Sequence, residues 1–233
     1  LVAGVAHEMN TPMGVALTIA SQLIQDRDQL AENYKSKTMT REMLDRYMEQ
    51  AGEGLGIILK NLTVAANLVR SFKQVSADQA SEEPRRVNLG GYIEDILRNV
   101  HPVIRRAGIE VALDLDDDIE VELLTGALSQ VITNLVQNAA MHAFENVSEP
   151  RLMISCRREG AQVLIRCQDN GRGMTDEVRQ KAFDPFFTTK RNSGGTGLGL
   201  HIVHNLITGP LKGTLKLTTA PGQGTEFLIS IPA

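Results

Sequence analysis

The chain has no tryptophan, three tyrosines and six phenylalanines among its 233 residues, an aromatic fraction of 4%. Proteins that stack nucleic-acid bases need aromatic faces, and a formal net charge of −4 opposes contact with a phosphate backbone. Nucleic acid is therefore not the expected partner. Cysteine is equally scarce. Cys156 and Cys167 stand in segments that read as strands, form no metal-ligand spacing, and read as small buried apolar residues in a reducing compartment. No apolar run approaches the roughly 18 residues needed to span a bilayer, and there is no signal peptide. The expected location is cytoplasmic. The chain opens without Met inside an apparent helix, so it reads as part of a longer protein, and any anchoring in the inner membrane would lie in segments outside it. Neither a GxxxxGK[ST] loop nor a dinucleotide fingerprint is present, which excludes a P-loop or Rossmann site.

What is there begins with a periodic signal. Leu44, Met48, Ala51, Leu55, Ile58, Leu62, Ala65, Val69 and Phe72 alternate spacings of four and three, a heptad seam across residues 41–76. Val2, Ala6, Met9, Met13, Ala16, Ala20 and Leu23 follow the same alternation, with the polar stretch 33–40 between the two segments. The pattern predicts an antiparallel helical hairpin. A helix with such a seam needs partner helices, so two hairpins paired as a four-helix bundle in a homodimer are expected. Ala6, Ala16 and Ala20 suggest close helix approach. The charged, Pro84-interrupted stretch after Ser76 reads as a linker. Beyond it, helices are expected at 89–106, 124–144, 175–182 and 197–207. Strands are expected at 109–115, 151–157 and 161–168, with two more at the end and a tight turn at Glu159–Gly160.

His7 falls one residue past a seam position and so points off the bundle core, with Thr11 and Thr18 as polar neighbours at helical spacing. An exposed imidazole is a nucleophile near neutral pH when a neighbour accepts its other ring proton, and Glu8 suits that role as general base. Pro12 cannot donate to the carbonyl of Glu8, which loosens the helix there. An ordinary surface histidine is the alternative. A zinc-protease helix would need a second histidine where Thr11 stands.

Gln130, Asn134, Asn138 and His142 form a polar stripe beside the apolar Leu128, Val131, Leu135 and Ala139. Neutral amides suit metal and phosphate oxygens, and the Asn138 side-chain carbonyl suits Mg²⁺. An amide-rich surface stripe is the other reading. Asp169, at the end of a strand, suits an exocyclic amine such as that of adenine, and Gly171 and Gly173 leave room for a flat base, although a plain turn fits equally. The run Gly194 to Leu200 precedes a helix and offers backbone N–H groups to a polyphosphate. Gly222, Gly224 and Thr225 form a turn whose hydroxyl could support the base or merely close a hairpin.

HEMNTP, NLVQNA, DNGRGM, FDPFFTTK, GGTGLGL and PGQGTEF, in this order, resemble the H, N, first glycine, F, second glycine and third glycine boxes of bacterial sensor histidine kinases. The resemblance spans essentially the whole chain. It implies a dimerisation and histidine phosphotransfer domain over 1–77, a linker over 78–86, and a catalytic α/β sandwich of the Bergerat ATP-binding type over 87–233. It implies that ATP phosphorylates His7, with Glu8 as base, and that the phosphoryl group passes to an aspartate of a response-regulator receiver domain. Thr11 matches the position tied to phosphatase action on that regulator. Asn138 would hold Mg²⁺ within an ATP site shared with Asn134 and His142. Asp169, Gly171, Gly173 and Thr225 would hold adenine. Gly195, Thr196, Gly197, Leu198 and Gly199 would form the lid over the triphosphate, anchored by Phe183 to Lys190, with Lys190 near phosphate. One position departs: Met141 stands where many relatives carry a basic residue, leaving His142, Lys190 or Arg191 to supply the charge. Two other classes share parts of this pattern. One is a nucleotide-gated conformational module like those of chaperones and mismatch-repair proteins, which needs no His7. The other is a degenerate kinase serving as a scaffold or a phosphatase.

Overall fold

The computed structural model describes residues 2–77, 83–190 and 195–233. The side chain of His7, residues 78–82 of the expected linker, Arg191 and Gly194 lie outside the described residues. The chain divides into two compact units, Leu1–Lys73 and Gln74–Ala233.

The first unit is a helical hairpin of α1 (Val2–Lys35) and α2 (Arg41–Ala77), the last turn of α2 running past the division. The turn between them closes on itself. The N–H groups of Thr38 and Met39 both donate to the Asn33 carbonyl, at 2.9 and 3.0 Å. Thr40 then starts α2, its hydroxyl accepting from the Met43 N–H at 3.2 Å, so an orphan donor of the first turn is satisfied. The helices pack tightly at Gly54, where an added Cβ would stand 3.1 Å from Leu23 and 3.2 Å from Ile19. Of the alanines expected to mark close approach, Ala16 is buried, Ala20 half-buried and Ala6 exposed.

The expected seam on α2 splits in two. Ala51, Ile58 and Ala65 are covered, whereas Met48, Leu55, Leu62 and Val69 are 64%, 60%, 49% and 45% exposed. A single partner helix covers only one strip of a heptad face, so alternate seam positions are left in solvent.

The second unit is a two-layer α/β sandwich. A short antiparallel pair, β1 (Arg85–Asn88) with β3 (Glu120–Leu123), stands apart from the main sheet. The main sheet contains β2 (Glu110–Leu115), β4 (Arg151–Glu159), β5 (Gln162–Asp169), β6 (Thr214–Thr219) and β7 (Thr225–Pro232). Its order is β2-β4-β5-β7-β6, with β2 and β4 parallel and the other neighbours antiparallel. The helices are α3 (Leu89–Arg106), α4 (Thr125–Asn138), α5 (Asp176–Lys181) and α6 (Gly199–Thr208). Period-two alternation puts Leu152, Ile154 and Cys156 of β4, Val163, Ile165 and Cys167 of β5, and Phe227, Ile229 and Ile231 of β7 in the core. The helices supply the other half through residues such as Ile93, Leu128, Leu135 and Ile207. Both cysteines are free and buried, and burial pushes each thiol up to about 12. Among the described residues no helix is long and apolar enough to cross a membrane.

Two features differ from the sequence expectation. The strand β1 begins inside the expected linker and pairs with a segment more than thirty residues away, a long-range partnership that local patterning does not carry. The expected helix at 124–144 is α-helical only to Asn138 and then widens into a π-helical turn over Ala139–Ala143. Such turns often mark functional sites, and this one ends the polar stripe.

Candidate functional site

The alternation that buries Val163, Ile165 and Cys167 continues one step to Asp169 and turns its carboxylate toward the helices. Asp169 is 7% exposed, and its Oδ1 accepts from the Gly171 N–H at 2.8 Å and the Thr225 N–H at 3.2 Å. Both hydrogen bonds fall on one oxygen, which leaves Oδ2 for another donor. Burial raises the Asp169 pKa, and the two backbone donors partly offset that rise.

Thr225 is the register partner of Asp169 and of Thr219. The Thr219 hydroxyl donates to the Gly224 carbonyl at 2.8 Å and accepts from the Met174 N–H at 3.0 Å. Its 3.1 Å contact with Thr225 Oγ1 must therefore use the Thr225 proton. The Thr225 oxygen is left as an acceptor beside Asp169. Sequence reading missed Thr219, whose signal was a second threonine flanking the PGQG turn across the strands.

The glycine-box residues are required by the chain's own packing. A Cβ on Gly171 would lie 2.5 Å from the Ala143 carbonyl oxygen. Gly173 has φ +65°, and its Cβ would lie 1.9 Å from the Ala220 carbonyl oxygen. What needs the missing side chains here is the chain's own backbone. The Arg172 carbonyl also accepts from the Gly222 N–H at 2.7 Å, so the first and third glycine segments interlock.

On α4, Asn134 is buried and Asn138 half-buried. Each Nδ2 is buried without a hydrogen-bond partner among the described residues. A buried unpaired amide costs about 1–3 kcal/mol, so two in one stripe call for a polar ligand. The first residue of α6, Gly199, sits over them. A Cβ there would be 3.3 Å from Asn138 Oδ1 and 3.7 Å from Asn134 Oδ1. The loop before α6 is tied back on itself: the Gly195 N–H donates to the Lys190 carbonyl, and the Leu198 N–H to Thr196 Oγ1. Gly197 sits against the Phe186 backbone, whose N–H donates to the Gly197 carbonyl. Leu198 is 1% exposed, so its side chain anchors the loop in the core.

His142, in the π-helical turn, contacts Thr189 Oγ1 through Nδ1 at 3.1 Å. Burial, then Arg172 and Lys190, lower its pKa. The imidazole is thereby kept neutral, and the fixed cations beside it are Lys190 and Arg172. Both pair with Glu145, at 2.6 and 3.2 Å. Met141 is 43% exposed and contributes no charge. Arg172 and Glu145 were not singled out from sequence, because their pairing depends on the loop meeting the end of α4.

In the hairpin unit, the backbone of His7 lies in α1 together with half-buried Glu8, exposed Thr11 and buried Pro12. A groove of about 670 Å³ between α3 and β2, floored by Leu97, Ile104, Ile109 and Val111, includes none of the candidate residues.

The comparisons with known proteins divide as the chain does. Residues 125–233 match the histidine kinase-, DNA gyrase B- and HSP90-like ATPase family. The sensor histidine kinase RcsC of Salmonella typhi is 28% identical across 99% of this chain. Over nearly its whole length the chain is thus similar to sensor histidine kinases. The sensor-like histidine kinase SenX3 of Mycobacterium bovis is 27% identical across all of it. The chain spans 23% of RcsC and 53% of SenX3. Among solved structures, the catalytic domain of histidine kinase ThkA covers 65% of this chain and 96% of its own, with 29% identity and a TM-score of 0.57. ThkA in complex with the response regulator TrrA covers 99% of this chain and 60% of its own, with 22% identity and a TM-score of 0.68, a likeness of fold. The matched residues all lie in the second unit, and the ATPase description of that family supports ATP as the ligand class of the site.

Proposed function

We propose that this chain is the kinase core of a longer sensor protein, phosphorylating His7 from ATP and passing the phosphoryl group to an aspartate of a response-regulator receiver domain. The observation that carries the reading is the pair of unpartnered amides, Asn134 and Asn138, beneath the glycine loop that ends at Gly199. Buried Asp169, with Oδ2 open, suits the exocyclic amine of adenine, and the acceptor oxygen of Thr225 suits a second donor at the base. Gly195, Thr196, Gly197 and Gly199 line the phosphate side, with Lys190 as the nearby cation.

Asn138 would offer magnesium one hard oxygen through Oδ1, the ion keeping its remaining places for phosphate and water, while the unpaired Nδ2 groups suit phosphate oxygens. Magnesium held there would neutralise charge on the triphosphate. In the transfer, a ring nitrogen of His7 bonds to the γ-phosphorus as the bond to the departing ADP oxygen breaks. Glu8 takes the proton from the other ring nitrogen. Neutral His142 orients Thr189 and is not the charge donor. Exposed Thr11, on the turn after His7, is suited to position water for hydrolysis of the phosphorylated regulator.

The exposed face of the hairpin supports homodimerisation. Met48, Leu55, Leu62 and Val69 lie exposed along one strip of α2, and a second hairpin would complete a four-helix bundle. Domain limits of 1–77 and 87–233, and a cytoplasmic position with any membrane anchor outside this chain, go with this reading. The two free buried thiols suit a reducing compartment.

The test is incubation with γ-labelled ATP and magnesium, wild type beside His7→Gln. The expected result is acid-labile, base-stable label on the wild type and none on the variant. Wild-type protein that binds ATP yet takes no label would overturn the kinase reading, and label retained in His7→Gln would overturn the choice of His7.

A further inference from the structure

The two cations that bear on His142, Lys190 and Arg172, are both tied to one atom. Glu145 Oε2 accepts from Lys190 Nζ at 2.6 Å and from Arg172 Nη1 at 3.2 Å. Lys190 is the more enclosed partner, its side chain 23% exposed against 50% for Glu145. These bonds join three pieces of the site: the segment just after the π-helical turn (Glu145), the first glycine segment (Arg172) and the stem of the lid (Lys190). A second link runs in parallel, from His142 to Thr189 beside Lys190. The Lys190 bond lowers the Glu145 pKa, so this carboxylate stays ionised at neutral pH.

We infer that Glu145 sets the selectivity of the site for ATP over ADP, because its carboxylate occupies the cation that a terminal phosphate would use and must be displaced by it. The inference rests on the nucleotide-site reading above. A phosphate outcompetes a carboxylate for an ammonium through its greater charge and its extra acceptor oxygens, so the exchange is feasible but costs affinity. ADP has no γ-phosphate to reach Lys190 and is held at its other phosphates whether or not Glu145 releases the lysine. Exposed ion pairs contribute little to folding, so the expected consequence is on ligand affinity and not on stability.

The experiment measures ATP and ADP binding by calorimetry for wild type, Glu145→Gln, Lys190→Gln and the double variant, with melting curves as a folding check. Glu145→Gln is expected to tighten ATP binding about three- to tenfold and ADP binding by less than about twofold. The gain should shrink by at least half on a logarithmic scale in the Lys190→Gln background. A residue that merely braced the lid would weaken ATP binding when altered. Unchanged or weaker ATP binding, equal tightening of ATP and ADP, or a full gain without Lys190 would each overturn the inference. Wild type that binds neither nucleotide would instead overturn the site reading and this inference with it.

Discussion

The two units differ in how much of their own apolar surface they can hide. Among the described residues, the ATPase unit buries Leu152, Ile154, Ile165, Ile229 and many others almost completely, and its exposed large hydrophobics are Leu113, Met141 and Met153. The hairpin buries Ala16, Ala65 and Leu68, while Leu17, Leu59, Met48 and Leu55 remain 70%, 68%, 64% and 60% exposed. A sheet covered by helices encloses a core; two antiparallel helices make only a strip. The first unit is built to be completed by another surface and the second is built to be complete. The proposed pairing of hairpins and the proposed nucleotide site would place those opposite demands on their scaffolds.

The largest test of this contrast is Gly173→Ala. Its positive φ and the Ala220 carbonyl leave no room for a Cβ, so the ATPase unit should lose ~3 kcal/mol. Helicity of the hairpin should persist through that transition in circular dichroism, and a single merged transition would show that the units do not fold separately.

Next in size is Asp169→Asn. Losing the charged acceptor should weaken ATP binding by about 10- to 100-fold, the scale of a hydrogen bond to a charged group. The amide oxygen can still accept from Gly171 and Thr225, so the unliganded protein should melt no lower than wild type at neutral pH. The sign follows from the raised native pKa. Asp169 favours the folded state at acid pH, and that contribution is lost as pH rises through its native value, which leaves a buried charge that the variant lacks. A lower melting temperature for the variant at neutral pH would refute this separation of binding from stability.

For the hairpin, Leu55→Ala should cost roughly 1.5–2 kcal/mol of dimerisation, read by analytical ultracentrifugation, with ATP affinity unchanged. A wild type that stays monomeric at all concentrations would end the comparison as drawn here. The smallest effect concerns His142. Its native pKa is depressed, so the stability it provides is complete above the ordinary histidine value and is lost as pH falls through the native one. His142→Gln should flatten that mildly acidic part of a stability profile, and a wild type with no slope there would contradict it.

Most of the elements were legible because each carries its own period. The strand β5 alternates from Val163 to Cys167, and the same alternation, extended one step, announces that Asp169 faces inward. The stripe from Asn134 to His142 was visible as spacing alone. What escaped was whatever depends on distant segments meeting. The β1–β3 pair joins residues far apart in the chain, and the pairing of Lys190 and Arg172 with Glu145 exists only because the lid stem and a glycine loop converge on the end of α4. The split of the hairpin seam is the same kind of fact, since a heptad face does not say how many of its strips one partner will cover.

By itself, the sequence determined the element types, the order of the boxes and the identity of the groups that could do chemistry. These follow from local periodicity and from functional groups fixed to particular positions. Only the tertiary structure decided that Asn134 Nδ2 and Asn138 Nδ2 lack partners among the described residues and that Asp169 is held by one oxygen. It also decided that His142 is kept neutral and that Gly171 and Gly173 make way for neighbouring backbone. Hydrogen-bond satisfaction, desolvation and close contact are properties of what surrounds a residue, and those surroundings come from parts of the chain far away in sequence.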